Sequence, residues 1–365
     1  MIVPVGASGG DIFCSEEAQA LSLSAMLALT CGAKGGFFMT PIRWGVLGAA
    51  NFAKEQMALA IHAAKGAELA ALATSHPDKA KGFQAFAPGL RVHDSYDALL
   101  ADPEIDAVYI PLPNHLHVDW SIKALEAGKH VLCEKPMTLQ ADEFDRLIAA
   151  RDKAGKLAAE AFMIVHHPQF VRARELVQGG AIGNLVHVDA TFTYYNDDTG
   201  NIRNQPGAGG GGLPDIGVYT FGSARFVTGA EPTAIPYADL RYEHGVDVFA
   251  RVAADFPGFT YAAVVSMRMH PRQQITFHGD KGVLRLTCPF NANVADLAQL
   301  TLENDGKTLV TERWPGVNHY VLQVENFCKT VQTGADYPCP LEFSRGTQAM
   351  MDMVYAAGGQ NGQEE

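Results

Sequence analysis

The sequence predicts an α/β protein, with a doubly wound parallel sheet in its first half and a second, strand-rich α+β part. Three observations lead there. Gly45-Val46-Leu47-Gly48-Ala49-Ala50-Asn51-Phe52-Ala53 joins a short apolar strand to a glycine turn and a helix. Short apolar runs then alternate with helical patterns as far as Phe162, the rhythm of a parallel sheet with crossover helices. After Phe162 the rhythm changes to longer stretches of alternating polar and apolar residues, which read as strands.

Size and charge set the limits. The 365 residues, 47% of them hydrophobic, favour two domains over one or three. A formal charge of -12 argues against nucleic acid or an anionic membrane as partner and favours a small polar or neutral substrate. The six cysteines lack the paired spacing of a zinc or iron-sulfur site, so they read as reduced thiols of a cytoplasmic protein. No apolar run reaches the roughly 18 residues that span a bilayer. The expected organisation is an extension at 1–40, a nucleotide-binding domain at 41–161, a substrate and oligomerisation domain at 162–357, and a tail at 358–365.

The extension stands apart from the rhythm that begins at Ile42. Residues 18–31 are apolar enough for a signal core, yet Asp11, Glu16 and Glu17 precede them and no Lys or Arg comes before Lys34. Because Met39-Thr40-Pro41-Ile42 makes an ordinary start, the first 38 residues read as disordered or as a misassigned beginning. A true signal would move the protein to the periplasm.

Trp44-Gly45-Val46-Leu47 is the first strand, and residues 52–64 are its helix, with Met57, Ile61 and Ala64 at helical spacing. The fingerprint G-x-G-x-x-G is present only as Gly48-x-Ala50-x-x-Ala53. Gly48 permits the tight turn, while alanine at 50 and 53 still allows close approach of a pyrophosphate to the helix N-terminus, flanked by Asn51 and Phe52. The second strand, residues 68–74, ends at Thr74-Ser75-His76 without the carboxylate that normally binds an adenosine ribose. Ser75, His76 and Lys79 are placed to hold a 2'-phosphate, so NADP is the expected cofactor and NAD, kept open by Asp78, the second choice. Lys79 and Lys81 equally suit the solvated face of the next helix.

Residues 107–111 form a later strand. It leads into Pro111-Leu112-Pro113-Asn114-His115-Leu116-His117, where Pro111, Leu112, Asn114 and His117 are candidates to line the cofactor cleft. Residues 118–127 are helical and stop at Gly128. The chain then returns through His130-Val131-Leu132 to Cys133-Glu134-Lys135-Pro136. A lysine beside a glutamate at this strand end is placed like a catalytic group at the mouth of an α/β sheet. In the second half, residues 184–195, 246–255, 260–267, 273–277 and 282–286 read as strands, with turns at 255–260 and 278–282. Residues 320–333 and 343–357 read as closing helices. Gly209-Gly210-Gly211-Gly212-Leu213-Pro214-Asp215-Ile216-Gly217-Val218-Tyr219 offers an Asp and a Tyr four apart, on one helix face. The thirteen histidines are dispersed, and His166-His167 before Pro168 reads as a loop, so no metal is expected.

Residues 102–117, Gly128-Lys129-His130-Val131-Leu132 and Glu134-Lys135-Pro136 together resemble the Gfo/Idh/MocA oxidoreductases, over residues 42–357. The resemblance implies a Rossmann domain, then a domain with a large, open, mostly antiparallel sheet that commonly carries a dimer interface. A homodimer or higher homo-oligomer is therefore expected. Tyrosine at 219, where many members have histidine, and Asn201-Ile202-Arg203-Asn204 are similar to the subgroup of glucose-fructose oxidoreductase, NADP-dependent xylose dehydrogenase and dimeric dihydrodiol dehydrogenase. That resemblance implies Tyr219 as acid/base, with Lys135 lowering its pKa and Asp215 orienting Lys135 or a sugar hydroxyl. Glu134 would face the nicotinamide, and Tyr194, Asn201 and Arg203 are candidates to bind a sugar or cyclic diol. Other readings of the fold are a cofactor-retaining hydride shuttle between sugars, a non-catalytic NADP sensor, and a glycosidase that uses the nicotinamide transiently.

Overall fold

The computed structural model describes residues 40–292 and 294–361. The expectations for residues 1–38 lie outside them. Within these residues the first sheet contains β1 (Ile42–Leu47), β2 (Ala67–Ala73), β3 (Arg91–His93), β4 (Ala107–Ile110), β5 (His130–Cys133) and β6 (Ala158–Glu160). Its order is β3-β2-β1-β4-β5-β6 and every pairing is parallel, the doubly wound arrangement whose strand order reverses beside β1. The four residues of β4 are all buried, as expected of a strand covered on both faces.

The second sheet has eight strands. They are β7 (Leu185–Tyr195), β8 (Ala234–Glu243), β9 (Val246–Phe256), β10 (Phe259–Ser266), β11 (Arg268–Gly279), β12 (Val283–Leu286), β13 (Gln299–Asn304) and β14 (Lys307–Arg313). In the order β14-β13-β12-β11-β7-β10-β9-β8, only β7 and β10 run parallel. One face is apolar. Val188, Ala190, Phe192, Tyr261, Ile275 and Phe277 are buried there beneath the helix Val218–Thr228. The opposite face, with Thr260, Arg251 and Arg285, is open to solvent.

The last two helices lace the halves together. In His319–Thr333, Phe327 packs on Trp44 of β1 with ring centroids 4.8 Å apart. In Leu341–Asn361, Gln348 donates to the Leu139 carbonyl at 3.0 Å and Asp352 accepts from Ala141 N–H at 2.8 Å. Burying a side chain the size of Phe327 stabilises by about 1.5–3 kcal/mol, so this seam is held firmly. The final helix runs through Asn361, which corrects the expectation of a tail from residue 358. His166 and His167 are also buried in a 3-10 turn and a helix start rather than in an open loop. Among the described residues, no helix is long and apolar enough to cross a membrane.

Candidate active site

The C-terminal ends of β1, β4 and β5 face β7 and β11 across a cavity of about 1020 Å³. This is where ligands of open α/β sheets bind. From the first sheet it is lined by Ala50, Asn51, Phe52, Pro111, Leu112, Asn114, Glu134 and Lys135, and from the second by Tyr194, Asn201, Arg203, Asp215 and Tyr219.

Lys135 lies two residues past the end of β5, and its peptide bond to Pro136 is cis. Its ammonium donates to the Asp215 carboxylate at 3.0 Å and to the Asp215 carbonyl at 2.5 Å. The other carboxylate oxygen of Asp215 accepts from the Tyr194 hydroxyl at 2.6 Å and meets Arg203 Nε at 3.0 Å. Asp215 is therefore a hub. Burial opposes its ionisation, but Lys135, Arg203 and Tyr194 outweigh it and hold the carboxyl well below the usual range. Burial and the Asp215 charge push the Tyr194 phenol up and keep it a donor. Tyr194 and Arg203, expected as substrate contacts, line the cavity while bound to Asp215.

Asp215 lies in a π turn, Leu213–Gly217, that leads into the α-helix Val218–Thr228 carrying Tyr219. Residues four apart on a helical turn share a face, so both line one wall. The Tyr219 ring stacks on Phe162 at 5.7 Å, with Phe290 at 5.9 Å, and its hydroxyl lies 3.5 Å from Met163 Sδ. Lys135 Nζ sits over the ring face, 5.0 Å from its centroid. This arrangement corrects the expected lowering of the Tyr219 pKa. Lys135 faces the π system and is neutralised by Asp215, while burial, Tyr320 and Glu134 push the phenol well above its ordinary value. The hydroxyl is held as a proton donor.

Glu134 accepts from the Tyr109 hydroxyl at 2.6 Å, and burial raises its carboxyl despite that bond and the nearby Lys135. Asn114 lines the cavity and donates to the Gly209 carbonyl at 2.8 Å, so it ties the two walls together. Asn201 lines the cavity and caps the turn Ile202–Asn204 by accepting from Arg203 N–H at 3.1 Å.

His117 needs the largest correction. It is fully buried and reaches the Pro136 and Leu112 carbonyls, each at 2.7 Å, so it braces the loops beneath the cleft rather than lining it. Burial lowers its pKa to about 4, against the two carbonyls, which favour a ring that donates from both nitrogens. Gly48, at φ +108°, makes the turn after β1, and a Cβ there would meet Leu112 Cδ2 and Tyr96 Oη at 3.2 Å. Ala53 is buried and serves helix packing. Ser75, His76 and Lys79 are exposed beyond β2, outside the cavity walls. Sequence reasoning missed Tyr320, which lines the cavity and packs edge-on to Phe52 at 5.7 Å. Nothing in a closing-helix pattern marks it. Among the described residues, no cluster of three or more His, Cys, Asp or Glu could hold a metal.

Two sequence profiles match the chain. The one described as an oxidoreductase family with an NAD-binding Rossmann fold covers residues 42–162, and the GFO/IDH/MocA C-terminal domain covers 170–285. The chain belongs to the Gfo/Idh/MocA oxidoreductase family. Within that family it is 39% identical to an uncharacterized oxidoreductase of Rhizobium meliloti, over 87% of this chain and 96% of that protein. It is 33% identical to D-xylose 1-dehydrogenase (NADP(+)) 2 of Haloferax volcanii, over 86% of this chain and 96% of the relative. Among solved structures it is similar to a 3-ketoreductase from Actinomadura kijaniata in complex with NADP and TDP-benzene, at 31% identity and a TM-score of 0.81. That match covers 87% of this chain and 98% of the other.

The first sheet fits the dinucleotide of a Gfo/Idh/MocA enzyme. No side chain caps the helix start at Phe52, and Lys54 is the first amide bonded back into the turn, to the Ala50 carbonyl at 3.1 Å. Earlier amides at a helix N-terminus are the donors a diphosphate takes.

Proposed function

We propose that this Gfo/Idh/MocA enzyme is an NADP-dependent oxidoreductase acting on a carbon that bears a hydroxyl or carbonyl group in a sugar or cyclic diol. The observation that carries the reading is Lys135, at the end of the first sheet, meeting Asp215 and Tyr219 of the opposite wall across the cleft. When bound, NADP supplies the hydride donor or acceptor at carbon 4 of the nicotinamide. Ala50, Asn51 and Phe52 would hold its diphosphate, with Pro111, Leu112 and Glu134 along the same cleft. Ser75, His76 and Lys79 would take the 2'-phosphate from the exposed edge beyond β2. The NADP named for the xylose dehydrogenase relative and for the ketoreductase complex supports this cofactor.

Lys135 holds the substrate oxygen as charge develops on it, and Asp215 fixes Lys135 in place. Tyr219 passes the proton, giving it to a carbonyl oxygen in reduction and taking it from a hydroxyl in oxidation. A second reading, reduction of a keto-sugar, is favoured by the neutral Tyr219 phenol, since a buried protonated tyrosine is ready to donate. The 3-ketoreductase likeness points the same way. The open face of the eight-stranded sheet favours a homodimer or higher homo-oligomer, which sedimentation of the purified chain tests.

The reaction is tested by following reduced nicotinamide absorbance with NADP or NAD and a panel of aldoses, keto-sugars and a trans-dihydrodiol. NADP-preferring turnover of one class is the expected result. Cofactor binding without turnover across the panel would favour a sensor or a cofactor-retaining shuttle instead.

A further inference from the structure

Each of the four glycines at 209–212 makes room for another part of this chain. A Cβ at Gly210 would lie 2.5 Å from the Arg203 carbonyl oxygen. At Gly211, which has φ +137°, a Cβ would lie 2.3 Å from Asp247 Oδ1, and at Gly212 it would lie 3.2 Å from Asp247 Oδ2. The Asp247 carboxylate thus occupies the space that side chains at 211 and 212 would need.

Asp247 is the second residue of β9 and is only 2% exposed. Its Oδ2 accepts from Leu213 N–H at 2.7 Å, at the first residue of the π turn. Its Oδ1 accepts from the Tyr355 hydroxyl at 2.7 Å, on the last helix. No cation joins this cluster among the described residues. Burying a carboxylate without a cation is costly, and these hydrogen bonds are what offset the cost.

We infer that Asp247 is the positioning residue of the active site, holding the N-terminus of the helix that presents Asp215 and Tyr219. This rests on the reading of those residues as the reacting group. Asp215 lies two residues beyond Leu213, and its own N–H bonds back to the Gly211 carbonyl at 3.1 Å. A shift of the turn therefore passes directly to the carboxylate that holds Lys135, Arg203 and Tyr194.

The test compares Asp247→Ala with Asp247→Asn in the full chain. Asparagine can accept from Leu213 N–H through its oxygen and donate to the Tyr355 oxygen through its amide nitrogen, so it keeps both contacts without the charge. Alanine keeps neither. Hydrogen exchange read by mass spectrometry should quicken about 10-fold across residues 211–219 in the alanine variant and return close to wild type in the asparagine variant. NADPH binding, followed by its fluorescence, should stay within about two-fold in both, because the dinucleotide wall belongs to the other sheet. On the substrate found to turn over, kcat should fall about 100-fold with alanine, as for a misplacement near 1 Å, and recover with asparagine.

Wild-type exchange at 211–219 in the alanine variant would overturn the inference, as would an asparagine variant no better than alanine. Should the alanine variant fail to fold, Tyr355→Phe removes the hydroxyl donor and must quicken exchange in the same segment; unchanged exchange there also overturns it. Quickened exchange with unchanged kcat would leave Asp247 holding the helix and would reject the catalytic reading of Asp215 and Tyr219.

Discussion

The two walls of the cleft are built in opposite ways. The wall from the parallel sheet consists of strand ends, a glycine turn and small or apolar side chains such as Ala50, Pro111 and Leu112. The wall from the second part is a set of polar side chains locked together, with Asp215 bound to Arg203 and Tyr194 and reaching across the cleft to Lys135. A wall made of backbone and shape tolerates changes such as alanine for glycine at 50 and 53. A wall made of charge does not, because each partner is held by a carboxylate that burial would otherwise neutralise.

The sharpest way to break this contrast is Asp215→Ala. It leaves Lys135 and Arg203 without their shared carboxylate, and turnover should fall about 10³-fold while NADPH affinity stays near wild type. Steady-state kinetics beside a fluorescence titration decide it. Loss of cofactor binding instead would mean that the walls are not separable.

Acid tests the scaffold around both walls. Burial lowers His117, His130 and His167 to about 4 and His166 and His319 to about 3, from 6.5 when unfolded. Between those values the unfolded chain binds more protons, so the stability these rings provide is complete above pH 6.5 and is lost as pH falls toward 4. Asp215 stays ionised across that window, so the ionic hub should survive until the scaffold fails. Thermal unfolding should shift down by more than about 5 °C from pH 7 to pH 5. A flat profile would contradict the buried, neutral rings.

Asn114→Ala removes the 2.8 Å bond to the Gly209 carbonyl that ties the walls. One such bond contributes about 0.5–1.5 kcal/mol, so KM should rise several-fold with little change in kcat. The smallest effect is expected at the exposed rim, where Lys79→Ala should weaken NADP about three-fold relative to NAD and leave kcat alone, as competition titrations will read.

The same contrast explains what could be read from the chain. Gly48, Ala50 and Lys135 were legible because a turn, a helix start and a strand end each follow from neighbouring residues. The second sheet was legible where strands have one buried face, as in β7 and β9, and missed at β8, β13 and β14. β8 carries Pro236 and exposed Tyr237 and Tyr242, while β14 is exposed along most of its length, so neither has the alternation that burial imposes. Asp215 and Tyr219 were visible by spacing, but not the direction of their pKa shifts. That depends on Phe162, Tyr320 and Arg203, which only the fold brings near them. His117 misled for the same reason, since a histidine at a strand end looks alike whether it faces the cleft or braces the floor beneath it.

The most direct measurement is single-turnover reduction and oxidation by Tyr219→Phe. Phenylalanine retains the stack on Phe162 and the ring under Lys135 and removes only the hydroxyl. A loss of about 10²–10⁴-fold in the rate of the chemical step, with NADPH binding unchanged, is the predicted result. A variant that turns over at the wild-type rate would show that the proton moves elsewhere and would contradict the account.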